Sequence, residues 1–366
     1  MIKVGSDFSG VGAFNQALNR LGIQYKEVFA CDMDKYARQT FIHNYGEPEY
    51  YPTNVYEREI PAESLDIYMT SPPCQAFSLA GKRLGKEDKR GILFFNSLEF
   101  IQQNQPRYFI FENVKGLLSD NGGKTFSEWV NMLGGKSVNG TETMFPYEDS
   151  VPYHLYWQVL NAKHHGVPQN RERVFLIGIR DDADNNFRFP AEEPLTKRLK
   201  DVLEDGVDEK YFLSEKIINF YFDNTKKNKE VGNGFEFKPS SGDTIGKAVT
   251  TKSGNRMDDN FIKIHSANSK GYEEATEGDS INLEFPESKT RRGRVGNGVA
   301  QTLDTGCNQG VINDYKIRRL TPRECFRLMD FPDTFTWPVS DSQAYKQAGN
   351  SIVVNVLYKI LKNLSL

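Results

Sequence analysis

Cysteine is scarce in this 366-residue chain, and the four present, Cys31, Cys74, Cys307 and Cys325, are scattered without a C-x-x-C pair. That spacing excludes a disulfide framework and offers no zinc pattern, so a reducing, cytosolic setting is expected. No apolar run approaches the roughly 18–20 residues that cross a bilayer. The opening MIKVGSDFSG has neither the apolar stretch nor the cleavage pattern of a secretory signal. The net charge of −3 argues neither for nor against a polyanionic partner. Charge is concentrated only locally, with nine Lys/Arg against three Asp/Glu from Lys289 to Arg327. Alone, such a run describes a solvated basic face, although nucleic-acid binders need only a local positive surface.

What is present fits a folded protein of one large or two moderate domains, since aromatic residues reach 12%. The first 190 or so residues alternate strand-like and helix-like segments. Strands are expected at IKVGS (2–6), KEVFACD (26–32), DIYMT (66–70), RYFIFEN (107–113), YHLYWQVLNA (153–162) and RVFLIGIR (173–180). Helices are expected at FNQALNRLG, DKYARQTFIHNYG and RGILFFNSLEFIQQ. This alternation predicts an α/β fold with a doubly wound, mostly parallel sheet, whose ligands gather at the carboxyl ends of the strands. From Pro194 to Asn313 the texture becomes rich in Gly, Asn, Ser and Lys without helical rhythm, which suggests a second, loop-rich and β-rich domain. Helical pattern returns with TPRECFRLMDFP and SIVVNVLYKILKNL. No internal repeat of fixed period stands out.

Four strand ends carry chemistry-bearing residues. DFSGVGAF (7–14) places Gly10 and Gly12 between a strand and a helix, where backbone approaches a ligand at a helix N-terminus. Asp32 follows 22 residues after Gly10 at the end of the second strand, where an acid accepts ribose hydroxyls. Phe8 offers an aromatic edge to an adenine. TSPPCQAFSLAG (70–81) turns a core strand through Pro72-Pro73 and presents Cys74. That thiol is either a small buried hydrophobe or a nucleophile awaiting a positive neighbour. Glu112 and Asn113 end an apolar strand, where a carboxylate either works or pairs with a buried arginine. Arg171 and Arg173, two apart before a strand, share one face.

The blocks FSGVG, PPCQ, ENV, QNRER, RRLTPRECFRLMDFP and QAGNS, in this order, closely resemble the DNA (cytosine-5)-methyltransferase family. The resemblance spans nearly the whole chain. It implies a Rossmann-like α/β fold with a mixed, doubly wound sheet that binds S-adenosylmethionine. The implied catalytic domain covers 1–193, completed by the C-terminal helix at 339–366. The implied target-recognition domain covers 194–338, including the basic DNA-facing segment.

The resemblance assigns Cys74 as the nucleophile on carbon 6 of cytosine and Glu112 as the partner of ring nitrogen 3 and the exocyclic amine. It assigns Arg173 to the carbonyl oxygen and to orienting Glu112, and Arg171 to the neighbourhood of the phosphate or the nucleophile. Phe8, Gly10, Gly12, Asp32, Met33, Asn54, Pro73, Leu93, Asn350 and Ser351 are the implied cofactor pocket. Gln75, Ser78, Lys82, Arg83, Arg291, Arg292, Arg294 and Thr302 are the implied DNA contacts, the first four on a loop that closes over a flipped base. No metal is implied. The implied partner is double-stranded DNA, met by a monomer in the cytoplasm of a bacterium at its nucleoid, with a cognate restriction endonuclease as companion.

The chain departs from the family's usual pattern at three places. Thr53-Asn54-Val55 replaces a Gly-Asp-Ile, Met33 replaces a frequent aromatic, and Ser6-Asp7-Phe8 replaces Asp-Leu-Phe. The rival readings are an amino-group methyltransferase, an RNA cytosine-5 methyltransferase of the same family and an inactive DNA-binding module. Cys74-Gln75 after the prolines, the missing Cys-Phe-Thr and the intact Cys74, Glu112 and Arg173 argue against each in turn.

Overall fold

The computed structural model describes residues 1–73, 92–183, 185–234, 236–240, 244–251, 256–257, 260–262, 280–282, 295–296, 309–311 and 317–366. The alternation read from the sequence appears as β1 (Ile2–Asp7), α1 (Ala13–Leu21), β2 (Tyr25–Cys31), α2 (Lys35–Tyr45), β3 (Ile67–Thr70), α3 (Ile92–Asn104) and β4 (Tyr108–Val114). Then follow α4 (Lys124–Leu133), β5 (Ser137–Val138), β6 (Thr141–Glu142), β7 (Tyr153–Asn161), β8 (Gln169–Asn170) and β9 (Glu172–Arg180). The large sheet runs β2-β1-β3-β4-β9-β7-β5-β6. β1 pairs in parallel with both β2 and β3, and β3 with β4. β9 then reverses the direction, antiparallel to β4 and β7, so the sheet is mixed. From β1 the order proceeds to β2 on one side and β3 on the other, the switch point at which α/β folds take ligands.

Local sequence explains these elements. α1 starts at Gly12, whose φ of 83° suits glycine, and ends at Gly22. Asp34 caps α2, its carboxylate accepting from the N–H groups of Tyr36 and Ala37. Strands β3 and β4 read as unbroken apolar runs because both faces are covered. On one face Phe29, Tyr68 and Phe100 pack together, the last two stacked at 4.1 Å. On that side too Phe94 stacks on Trp129 at 4.1 Å and meets Phe111.

One polar cluster interrupts this apolar pattern. Asn15 of α1 donates to the Glu27 carboxylate of β2 and to the Tyr25 hydroxyl. Glu27 Oε1 is sealed from solvent beside Ser6, and no hydrogen bond of good geometry reaches it from the described residues. Burial pushes the Glu27 carboxyl from 4.5 up to about 8. The unfolded chain releases this proton near 4.5 while the folded chain keeps it, so stability is greatest below 4.5 and declines until the folded group ionises near 8. The expected slope across that window is about 1.4 kcal/mol per pH unit. Glu27→Gln keeps an acceptor for Asn15 and is expected to flatten the slope in urea unfolding at a series of pH values. A pH-independent offset between the two proteins would contradict the burial argument.

The chain divides into two compact units. Unit 1 comprises Met1–Lys197, Gly246–Lys252 and Pro322–Leu366, and unit 2 comprises Arg198–Ile245 and Ser253–Thr321. The boundary expected at 338 therefore falls after Thr321. α6 (Pro322–Leu328) belongs with the sheet because Phe326 packs against Phe331, Phe335 and Trp337. His43 and Asn44 of α2 hydrogen-bond Thr336 in the same stretch. α7 (Asp341–Asn350) and α8 (Val354–Lys362) complete the unit.

Unit 2 contains short strands, among them a three-stranded antiparallel sheet of Ser280–Asn282, Val295–Gly296 and Gln309–Val311. It also holds a helix, α5 (Glu215–Glu230), where no helical rhythm was expected. Its apolar residues are bunched at 217–222 and the rest of the helix, Asp223 to Glu230, is polar, which hides the period. Tyr221 and Phe222 pack on Phe237, while Ile217 and Phe220 stay exposed. No helix among the described residues is long and apolar enough to cross a membrane, and no cluster among them suits a metal ion.

Candidate active site

The site is built at the carboxyl ends of β1 to β4. β3 ends beside β4 with Thr70 opposite Phe111, and β4 runs on through Glu112 and Asn113. The chain after β3 turns at Pro72-Pro73, and Asn113 Nδ2 donates to the Pro72 carbonyl at 3.0 Å. That bond ties the proline elbow to the strand carrying Glu112. Arg173 Nε lies 3.0 Å from Glu112 Oε1. β9 brings it there, because Arg173 is paired across the sheet with Val114. Burial pushes the Glu112 carboxyl up, against the opposing pull of Arg173 and Arg171. A carboxyl that holds its proton more tightly than usual, oriented by a guanidinium, can donate to the ring nitrogen of a neutral heterocycle.

The glycine turn occupies the end of β1. Phe8 has φ 57°, Gly10 φ 55° and Gly12 φ 83°, three left-handed residues within five positions. A side chain at Gly12 would strike the Tyr45 ring at 2.3 Å, whereas at Gly10 only the Phe8 carbonyl, among the described residues, comes within 4.0 Å. Gly12 is therefore required by packing, and Gly10 leaves open space at the turn. Asp32 stands across from it, its carboxylate accepting from Gly10 N–H and Asp34 N–H, each at 2.8 Å. Both oxygens are thereby oriented and each keeps a lone pair for a hydroxyl donor. Burial raises the Asp32 carboxyl. These features fit the ribose of an adenosine cofactor.

The other residues expected in the pocket are placed as follows. Met33 is 86% exposed, so it is free to cover a ligand face. Asn54 Oδ1 accepts from Tyr56 N–H at 3.1 Å, and its amide donates to Glu57 at 3.3 Å. Its oxygen thus has one acceptor position left for an adenine amine. Pro73 is exposed and Leu93 packs at the edge of the core. Asn350 is exposed and Ser351 buried, at the end of α7. Cys74, Gln75, Ser78, Lys82, Arg83, Arg291, Arg292, Arg294 and Thr302 lie outside the described residues.

Arg171, expected near the phosphate or the nucleophile, is engaged differently. It is buried, and its terminal nitrogens donate to the carbonyls of Val249, Gly349 and Ser351, each at 2.9 Å. Burial lowers its guanidinium to about 9, and Arg173 adds to the effect. The sequence reading missed the segment it holds. Gly246–Lys247 (β10) pairs in parallel with Gln169–Asn170 (β8). Gln169, fully buried, accepts Val249 N–H at 2.9 Å and donates to Leu328 O at 2.6 Å. A signal for this segment exists: the pattern G-x-A-x-T-x-x-[ST]-G occurs twice, at Gly246–Gly254 and Gly298–Gly306. Thr302 was singled out in the second copy, and its counterpart in the first is Thr250.

A Rossmann-like sheet with a glycine turn and an acid across from it at the switch point defines the class, an α/β enzyme built around a nucleotide-like cofactor. The fold is that of the S. pombe Dnmt2 methyltransferase crystal structure, with TM-score 0.67, 20% identity and 99% and 97% of the two chains covered. The model of the C-5 cytosine-specific DNA methylases matches residues 2–366, and the chain belongs to that family. It is 34% identical to the type II methyltransferase M.HpaII of Haemophilus parainfluenzae over 98% of this chain and 88% of that one. It is 32% identical to the orphan methyltransferase M.SPRI of Bacillus phage SPR, over 99% and 97%. The chain is thus a DNA (cytosine-5)-methyltransferase.

Proposed function

We propose that the protein transfers a methyl group from S-adenosylmethionine to carbon 5 of a cytosine flipped out of a specific double-stranded DNA sequence, through a covalent adduct with Cys74. The observation that carries this reading is the Glu112–Arg173 pair at the strand end tied to the carbonyl of Pro72, which precedes Cys74 by two positions in the sequence. Base flipping follows from the chemistry, since carbon 6 is shielded inside a duplex.

In this reading the Cys74 thiolate adds to carbon 6 while Glu112 gives its proton to ring nitrogen 3. Carbon 5 becomes an enamine nucleophile. Arg173 holds the carboxyl in plane and receives the cytosine carbonyl oxygen. The cofactor, held by Phe8, Gly10, Asp32, Met33, Asn54, Pro73, Leu93, Asn350 and Ser351, supplies an electrophilic methyl group. Loss of the carbon 5 proton to water, expulsion of the Cys74 thiolate and return of the nitrogen 3 proton to Glu112 restore the aromatic ring and the starting state of the protein. The addition divides one difficult substitution into easier steps.

Unit 2, with the basic residues Arg291, Arg292 and Arg294, is the DNA-recognition unit of this proposal, contacting phosphates for position and base edges for specificity. One protomer acts on the duplex, in the cytoplasm, beside a restriction endonuclease of the same specificity. The test is bisulfite sequencing of unmethylated plasmid DNA incubated with the protein and S-adenosylmethionine. Protection of cytosine at one short recurring sequence is expected. Absence of any protected cytosine overturns the reading.

A further inference from the structure

The Arg171 side chain joins two parts of unit 1 that are far apart in sequence. One is the connector Gly246–Lys252, which lies between the two pieces of unit 2, so that the chain passes from unit 2 into it at Gly246 and returns after Lys252. The other is the turn that follows α7, where Asn350 and Ser351 are placed in the proposed cofactor pocket. The guanidinium donates to Val249 on the connector and to Gly349 and Ser351 on the turn. A second contact presses the same two parts together: a methyl group at Gly349 would fall 2.4 Å from Thr250 C and Thr251 N. Backbone therefore touches backbone, and only glycine fits at position 349. Gln169 fastens the connector to β8 without reaching the turn.

All three carbonyls accept from one buried side chain, and leaving a buried acceptor unpaired is unfavourable. Whatever orders the connector therefore orders the guanidinium and the turn behind it. We propose that Arg171 is a positioning residue that couples DNA engagement by unit 2 to cofactor binding, with the connector Gly246–Lys252 as the link. This rests on the functional reading above. DNA that steadies the two flanks of the connector leaves less ordering for the cofactor to impose at Asn350 and Ser351, and the cofactor favours DNA by the same factor.

The test is calorimetric titration of the full-length protein with S-adenosylhomocysteine, with and without unmethylated plasmid DNA. The wild type is expected to bind it at least about fivefold more tightly with DNA present. Arg171→Lys keeps the charge but serves fewer carbonyls, and Gly349→Ala pushes the connector away while leaving Arg171 intact. Both are expected to bring the ratio near one, with amide exchange of 246–251 no longer slowed by S-adenosylhomocysteine. A merely structural role would weaken both titrations alike and leave the ratio unchanged, and that result overturns the coupling. A wild type that binds both ligands with a ratio of one overturns it as well. Failure of the wild type to bind S-adenosylhomocysteine at all overturns the functional reading itself.

Discussion

Protein carrying Cys74→Ser is expected to form no covalent complex with DNA containing 5-fluorocytosine, and Glu112→Gln to form it about 10²–10⁴-fold more slowly. Fluorine at carbon 5 does not leave as a cation, so the adduct that normally decays after methyl transfer persists and is visible on a denaturing gel. Serine is far less nucleophilic at neutral pH than a thiolate, because its hydroxyl stays protonated. Glutamine keeps the shape and the bond to Arg173 but has no proton to transfer to ring nitrogen 3.

The pH dependence separates the two roles. Burial raises the Glu112 carboxyl, so its acid form persists to higher pH than that of a free glutamate. Trapping by the wild type is expected to hold while Glu112 is protonated and to fall as the pH passes its raised value. In Glu112→Gln this falling limb disappears, and the remaining rise with pH reports ionisation of the thiol. Trapping by Cys74→Ser at the wild-type rate would sink the covalent mechanism. A falling limb that survives in Glu112→Gln would move the acid to another residue.

The sheet was legible because its strands are apolar runs bounded by turns, and strand ends needed only Glu112, Asp32 and the glycines to mark them. The strand ends carrying Glu112 and Arg173 were legible for the same reason, whereas their pairing was expected only from the family resemblance, since it rests on the β4–β9 register. The antiparallel placement of β9 beside β4 was not, because an apolar strand reads the same in either direction. The role of Arg171 was hidden more deeply. Its partners are backbone carbonyls at 249, 349 and 351, which carry no side-chain signature. α5 escaped because its apolar residues are confined to its first half, and the Pro322 boundary because aromatic packing of Phe326 decides it.

Asp7 is the remaining acid near the cofactor turn, and Arg58→Ala is expected to show what it does by costing about 3–5 kcal/mol of stability. Arg58 Nε lies 2.9 Å from Asp7 Oδ1, with the two side chains 2% and 0% exposed. The Tyr68 hydroxyl donates to the other Asp7 oxygen at 2.6 Å. The guanidinium sits 4.6 Å over the Phe100 ring. Burial already raises the Asp7 carboxyl, with Arg58 pulling the other way. Removing Arg58 therefore raises it further, so the loss grows as the pH passes the wild type's own raised value and shrinks below it. Asp7→Asn combined with Arg58→Met removes both charges at similar volume and is expected to recover most of the stability in urea unfolding. Equal instability of the single and double variants would mean that packing, and not the stranded charge, sets the cost. Asp7 has its two oxygens committed to Arg58 and Tyr68, while each Asp32 oxygen has an open lone pair. That division makes Asp7 the acid that fixes β1 beneath the glycine turn, and Asp32 the acid left to face a ribose.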